Sequence, residues 1–220
     1  MKKLILALFT ILVISISAQQ KPFAIEVGSN HSWFTYEIDV INELEEDFKP
    51  MFNFGVRYNI TEFYGFNLSV GLRYFALERA LTVDWLPYNG RTMEINNYLI
   101  SAPIQFSYSF DVLNTSVIIN LEPAYNFKTT VIDISPFALQ SADLTERDVS
   151  DQMKKIQLAI GAGLEFNFDL FSQSFGLKSI YNYYLTDIPK SDRFTRDGNQ
   201  QYSWAPFKAQ EISVVLSYYF

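Results

Sequence analysis

The chain has 220 residues, 49% of them hydrophobic and 19% charged, with no cysteine and a formal net charge of −7. The absence of thiols excludes a disulfide framework and a lipid-anchored cysteine. The acidic balance argues against a nucleic-acid partner.

The chain opens with a positive pair, Lys2 and Lys3, followed by an apolar core from Leu4 to Ser15 and the small residues Ser17 and Ala18. This order predicts a secretory signal peptide over residues 1–18, cut near Ala18. The apolar run is shorter than the roughly 20 residues a spanning helix needs, and no later stretch is long and apolar enough to be one. Loss of Lys2 and Lys3 takes the formal charge from −7 to −9. Residues 19–220 then form one domain of ordinary size.

Within that domain the dominant signal is a period of two. "FAIEVGSN" from Phe23 and "FNFGVRYNI" from Phe52 alternate apolar and small or polar residues. "YGFNLSVGLRYFA" places Tyr64, Phe66, Leu68, Val70, Leu72 and Tyr74 on one face. "YLISAPIQFSYSF" from Tyr98, "SVIINLEPAYNF" up to Phe127 and "IQLAIGAGLEFNF" from Ile156 continue the pattern. "FGLKSIYNYYL" from Phe175 and "EISVVLSYYF" from Glu211 to Phe220 complete eight segments. Such alternation is the mark of strands with one apolar side.

The second face decides what the apolar side meets. In a soluble sandwich it would be rich in Lys, Glu and Thr. Here it is Gly, Ala, Ser and Asn with occasional charges, which suits a confined interior. The apolar face carries tyrosines ten residues apart, Tyr64 with Tyr74 and Tyr98 with Tyr108. At about 3.3 Å per residue and a tilt of roughly 40° they span about 25 Å, the height of a lipid-facing band with aromatic girdles. Connections alternate in length: "TE", "DVLN" and "DLFSQ" are short, and those after the first, third, fifth and seventh strands are long and polar. The predicted fold is all-β, a transmembrane eight-stranded antiparallel up-and-down barrel with both termini periplasmic. The last strand closes against the first, with Phe220 at the lipid edge.

"INNYLISAPIQFSYSF", "IINLEPAYNF", "LAIGAGLEFNF" and "FGLKSIYNYYLTDI" together resemble the outer-membrane β-barrel domain of Bacteroidota, the porin-family or PorT-like small barrels. The resemblance runs over most of the mature chain. It implies a Gram-negative outer membrane, with lipid and lipopolysaccharide as surroundings and the barrel-insertion machinery reading Phe220 as its signal. It carries no catalytic residues over.

Parity assigns Glu26, Arg57, Arg73, Glu122, Glu165, Lys178 and Glu211 to the inner face. Charges in a narrow interior are costly alone, so a cross-paired network is expected. Eight strands enclose only enough room for side chains, so the expectation is a plugged barrel; the alternatives are a narrow gated channel that uses the same charges and a PorT-like component of a secretion or transport assembly. A lipid A-modifying enzyme would need a nucleophile and base, for which the single histidine, His31, beside Ser32, with a third group such as Asp39 or Glu37, is the candidate set. Neighbouring His31 and Ser32 point to opposite faces, and the chain is read as no enzyme, without cofactor or metal.

Function is therefore expected at the long loops, in a structural or interaction role toward a protein partner. Asn89-Gly90 and Asp197-Gly198 are hairpin signals, and Trp85, Tyr88, Phe194, Tyr202 and Trp204 are candidate anchors beside them. The acidic first loop, Glu37 to Asp47, has the spacing of a short capping helix but lacks the calcium-loop pattern. "SADLTERDVSDQMKK" is read as a helical turn or a mobile stretch.

Overall fold

A computed structural model describes residues 22–36, 50–83, 91–110, 114–133, 146–189, 194–197, 200–203 and 207–220. The signal segment, the first loop, Trp85, Tyr88, Asn89-Gly90 and Trp204 lie outside the described residues. No helix among the described residues is long and apolar enough to cross a membrane.

The alternating segments form β1 (Phe23–Tyr36), β2 (Met51–Phe63), β3 (Phe66–Val83), β4 (Arg91–Ser101), β5 (Ile104–Phe110) and β6 (Thr115–Asp133). They continue as β7 (Arg147–Asp148), β8 (Ile156–Leu170), β9 (Gln173–Tyr184), β10 (Phe194–Asp197), β11 (Gln200–Ser203) and β12 (Phe207–Tyr219). β4 and β5 are one wall strand interrupted at Ala102 and Pro103, where proline has no N–H for the ladder. Counted this way, eight antiparallel strands close a barrel. β12 pairs with β9 on one side and β1 on the other, from Ala24↔Tyr219 to Tyr36↔Phe207.

The turns correct two details of the sequence reading. Phe63 pairs with Phe66, so the first short turn is Tyr64-Gly65 and not "TE". Both residues have positive φ (49° and 81°), as a two-residue hairpin turn requires, and Tyr64 therefore sits at the tip, off the strand face. The lower aromatic opposite Tyr74 is Phe66, whose ring lies 4.7 Å from Tyr108. Phe171 and Ser172 turn the chain in the same way, with φ of 50° and 64°.

Bulges alter the register. On β2 the pairing shifts between Asn59 and Thr61, and on β6 Phe127 is the extra residue between Asn126 and Lys128. An extra residue exchanges the faces of everything beyond it. On β6 the even positions through Asn126 point inward, and beyond the bulge Thr129 and Val131 do.

The distribution of polarity is inverted relative to a water-soluble protein. Glu, Arg, Lys and Asn side chains fill the interior, while Phe52, Phe54, Leu72, Ile119, Leu164 and Leu216 are among the many exposed apolar groups outside. A continuous apolar exterior of this extent is unknown on soluble monomers and is a surface for lipid. At the short-turn end, rings of Tyr58, Phe23, Phe220, Tyr218, Phe175 and Phe168 follow one another at centroid distances of 4.8 to 6.2 Å. At the other edge Tyr74, Phe127 and Tyr98 form a second cluster. β6, at 19 residues, covers about 48 Å along the normal, roughly twice the lipid band, so the wall continues past the membrane.

Close approach explains the glycine at position 163 of β8. A Cβ there would lie 2.2 Å from the Ser179 carbonyl oxygen and 2.7 Å from Ile180 Cγ1. Gly163→Ala is expected to destabilise the folded barrel by about 1–3 kcal/mol. Ala162→Val, on the exposed face of the same strand, should stay within about 0.5 kcal/mol. Urea titration of the protein folded in liposomes measures both.

Candidate functional site

In the barrel's lower half only scattered apolar side chains, among them Ile118, Ile180 and Val215, are buried among the described residues. Instead, inward side chains make two ion-pair clusters, one above the other. Nearest the short turns, Arg57 on β2 grips Glu165 on β8 in a bidentate pair, with Nη1 to Oε2 at 3.1 Å and Nη2 to Oε1 at 2.7 Å. Tyr219 on β12 completes a triangle, donating to Glu165 and accepting from Arg57 Nη2. Arg57 Nε lies 3.0 Å from Glu26 Oε1, a charge contact without hydrogen-bond alignment. Lys178 Nζ donates to the same Glu26 oxygen at 2.7 Å, as Ser217 does at 3.2 Å. Two cations and two carboxylates balance.

The upper cluster does not balance. Arg73 on β3 faces both Glu122 on β6, at 3.1 and 3.3 Å, and Glu211 on β12. Glu122 also accepts from Ser101 at 2.6 Å, Asn120 at 2.9 Å and Asn182 at 3.0 Å, and Glu211 from Tyr184 at 3.2 Å. One cation thus serves two carboxylates, and the excess negative charge is held by neutral donors. Between the clusters is a cavity of about 10 Å³ lined by Glu26, Arg73, Gln105, Asn120, Glu122 and Lys178 among others. That is room for about one water.

Above Arg73 the interior changes character. Phe75, over whose ring the Arg73 guanidinium carbon sits at 4.2 Å, begins an apolar layer with Leu77, Ile95 and Leu99. Val149, Met153 and Ile188 pack into it from outside the wall. The segment carrying the first two is a short strand and a turn in its described part, in place of the helical turn that the sequence suggests. Arg147 and Asp148 form β7 against β6, and a turn follows at residues 150–152. The pairing with Thr130 and Val131 replaces helical hydrogen bonds. Asp148, exposed at this mouth, is held below the usual carboxylate range by the Ser150 hydroxyl and backbone N–H that donate to it.

A barrel with a polar, ion-paired lumen and an apolar exterior fits the match of residues 4–220 to the family model described as outer membrane protein beta-barrel domain. The chain belongs to that family. It is therefore an outer-membrane protein. A search of curated proteins finds no match. Among solved structures, the attachment invasion locus protein Ail of Yersinia pestis, crystallised with the heparin analogue sucrose octasulfate, is 15% identical with a TM-score of 0.48. That likeness covers 92% of this chain and all of Ail. The N-terminal barrel domain of Pseudomonas aeruginosa OprF is 10% identical over 91% of this chain and all of that one, with a TM-score of 0.46. Neisserial surface protein A is 8% identical at 0.45, over 90% of this chain and 97% of that one.

The structure places the seven inner charges in the lumen, each no more than 7% exposed. It adds groups that parity did not single out, namely Tyr219, Tyr184, Asn120, Asn182, Gln105 and Ser101. Tyr184 and Tyr219 could have been found because inward tyrosines break the small-residue pattern. Phe220 sits at the short-turn rim, half exposed, its N–H on the Phe23 carbonyl at 2.9 Å. At the opposite end β10 and β11 pair only with each other among the described residues, Phe194 opposite Ser203 and Thr195 opposite Tyr202. Asp197 pairs with Gln200, and Gly198 of the Asp197-Gly198 hairpin signal lies outside the described residues. His31 and Ser32 point away from each other. His31 lies beside Trp33, with ring centroids 6.0 Å apart, and the buried Ser32 Oγ donates to the Glu78 carbonyl at 3.2 Å.

Removing one member of a buried pair strands the others. Arg57→Ala is expected to cost about 3–5 kcal/mol in urea titration of the liposome-folded barrel. Arg57→Met combined with Glu165→Met should recover most of that loss, because Lys178 still neutralises Glu26.

Proposed function

We propose that this protein is a barrel sealed to solutes that anchors an interaction surface at the outside of the cell. The observation that carries the reading is the interior itself: paired charges cross the lower lumen and an apolar layer closes the upper one. Water and ions would have to pass both. The cavity between the two charge clusters has room for about one water, and eight strands enclose only enough space for side chains; both support the reading.

The remaining assignments follow from that role. Residues 1–18 direct export and are removed near Ala18, and residues 19–220 form the barrel domain. Short turns and both termini face the periplasm of a Gram-negative cell, with long loops outward. Phe220 is the residue read by the barrel-insertion machinery, supported by its exposed position at the lipid edge. The sequence motifs favour the PorT-like Bacteroidota barrels within the family. Trp85, Tyr88, Phe194, Tyr202 and Trp204 are aromatic anchors for a protein partner near the lipopolysaccharide surface, and the β10–β11 ribbon, paired only within itself among the described residues, is a second element for that partner. The chain catalyses no reaction: the opposed directions of His31 and Ser32 support this.

Planar-bilayer recording of the refolded protein tests the reading. The wild type is expected to give no steady openings, and Arg73→Ala to stay silent too, because the apolar layer above it is untouched. Sustained openings of the wild type would replace the sealed anchor with a pore. Openings confined to Arg73→Ala would make the ion pairs the gate.

A further inference from the structure

The described lumen holds four carboxylates, Glu26, Glu122, Glu165 and Glu211, and three cations, Arg57, Arg73 and Lys178, all buried. The lower cluster balances, so the odd negative charge sits with Glu122 and Glu211, which share Arg73. The neutral donors around them disperse that charge without cancelling it. In a closed interior of low dielectric an uncompensated charge is costly enough that the group neutralises instead. Two carboxylates on one site do so by holding a proton between them.

A metal cation would also settle the count, but the lining of the site opposes it. The cavity beside the pair, with room for about one water, is bounded by Arg73 and Lys178 as well as by Glu26 and Glu122. Those two cations repel a third. No group of three or more His, Asp or Glu side chains that could hold a metal ion is present among the described residues.

Hydrogen bonds decide which carboxyl takes the proton. Glu122 is met mainly by groups that can only donate. Arg73 Nη1 reaches Oε1 at 3.1 Å and Oε2 at 3.3 Å, and the amides of Asn120 and Asn182 reach Oε2 at 2.9 and 3.0 Å. The Ser101 hydroxyl adds a contact to Oε1 at 2.6 Å. A proton on Glu122 would confront those donors. Glu211 is met by Arg73 Nη2 on Oε1, by Asn182, and by the Tyr184 hydroxyl 3.2 Å from Oε2. A hydroxyl accepts as well as donates, so a proton on Glu211 Oε2 has Tyr184 to receive its hydrogen bond. Arg73 then keeps one fully charged partner. The other buried ionisable groups, Glu26 and Lys178 across the cavity and Arg57 and Glu165 below with Tyr219, are balanced among themselves.

We propose that the upper cluster is a proton-binding site, in which Glu211 is a neutral carboxylic acid at neutral pH and Glu122 is the ionised partner of Arg73. This rests on the sealed lumen proposed above, because mobile ions would supply another counter-charge. Glu211 lies on β12, the strand that closes the barrel against β1, and in water a glutamate is ionised at neutral pH. Seating β12 therefore takes up one proton from water, and closure of the barrel is favoured by mild acidity.

A proton bound by the folded chain and not by the unfolded one makes stability fall as pH rises. Between about pH 6 and 8, the folding equilibrium constant of the liposome-folded wild type in urea titration is expected to fall about tenfold per pH unit relative to Glu211→Gln, whose amide cannot ionise. His31 titrates in both proteins and cancels in the comparison. Glu211→Gln should match or exceed the wild type at the upper pH, since an amide replaces a neutral acid. Glu122→Gln, which turns an amide toward the Arg73 or Asn donors, should lower the constant about tenfold or more. Equal pH slopes in wild type and Glu211→Gln, or a Glu211→Gln loss as large as that of Glu122→Gln, would overturn the site. Should Glu211→Gln fail to fold, the infrared spectrum of the wild type in a carbonyl-free detergent decides. It must show a protonated carboxyl stretch at neutral pH, and its absence would sink the proposal. Steady bilayer openings with that band present would strike the sealed lumen alone.

Discussion

The arrangement depends on a single electrostatic requirement: every charge placed inside the barrel must meet its opposite across a lumen too narrow for bulk water. At low effective dielectric an isolated charge is costly, and a well-placed counter-charge offsets much of that cost. The pairs that satisfy the requirement join residues far apart in sequence, Arg57 with Glu165 and Arg73 with Glu211. They fix strands that are not neighbours in the sheet. Neutral side chains then take up the lone pairs that the cations leave, Ser101, Asn120 and Asn182 around Glu122, Tyr184 at Glu211 and Tyr219 at Glu165.

The upper lumen solves the same problem of filling space by the opposite means. Phe75, Leu77 and Leu99 continue the inner faces of β3 and β4 with apolar groups, and the loops supply Met153 and Ile188 to close the top. The polar half resists loss of any single member, because that strands a charge. The apolar half tolerates separation more readily, because its contacts are non-directional and each is small.

Much of the wall was legible because the side-chain period in a strand is two, and a lipid exterior keeps that period strict. Parity alone put Glu26, Arg57 and Lys178 on one face and Ile25, Val56 and Leu177 on the other. Which cation meets which carboxylate was not legible, since it depends on the stagger of strands around the closed barrel. The bulge at Phe127 is equally silent in sequence, and it hid the inward turn of Thr129 and Val131. Around "YFALERAL" both faces are apolar, so the period vanishes where the inner layer changes from polar to apolar. β7 left no signal, because two paired residues are too short a stretch to show alternation. The loop aromatics Trp85, Tyr88 and Trp204 rest on sequence alone.

The seam between β1 and β12 bears on how the molecule comes into being. Glu26 and Ser217, which share a hydrogen bond across it, are 191 residues apart. Until that seam zips, β1 and β12 each present an open edge, and open edges recruit foreign strands. Non-local pairings of this kind are slow to form, because the entropy of closing the chain is lost before the contacts reward it. Until the seam closes the chain therefore carries two exposed strand edges, a liability set by the order of assembly as much as by the stability finally reached.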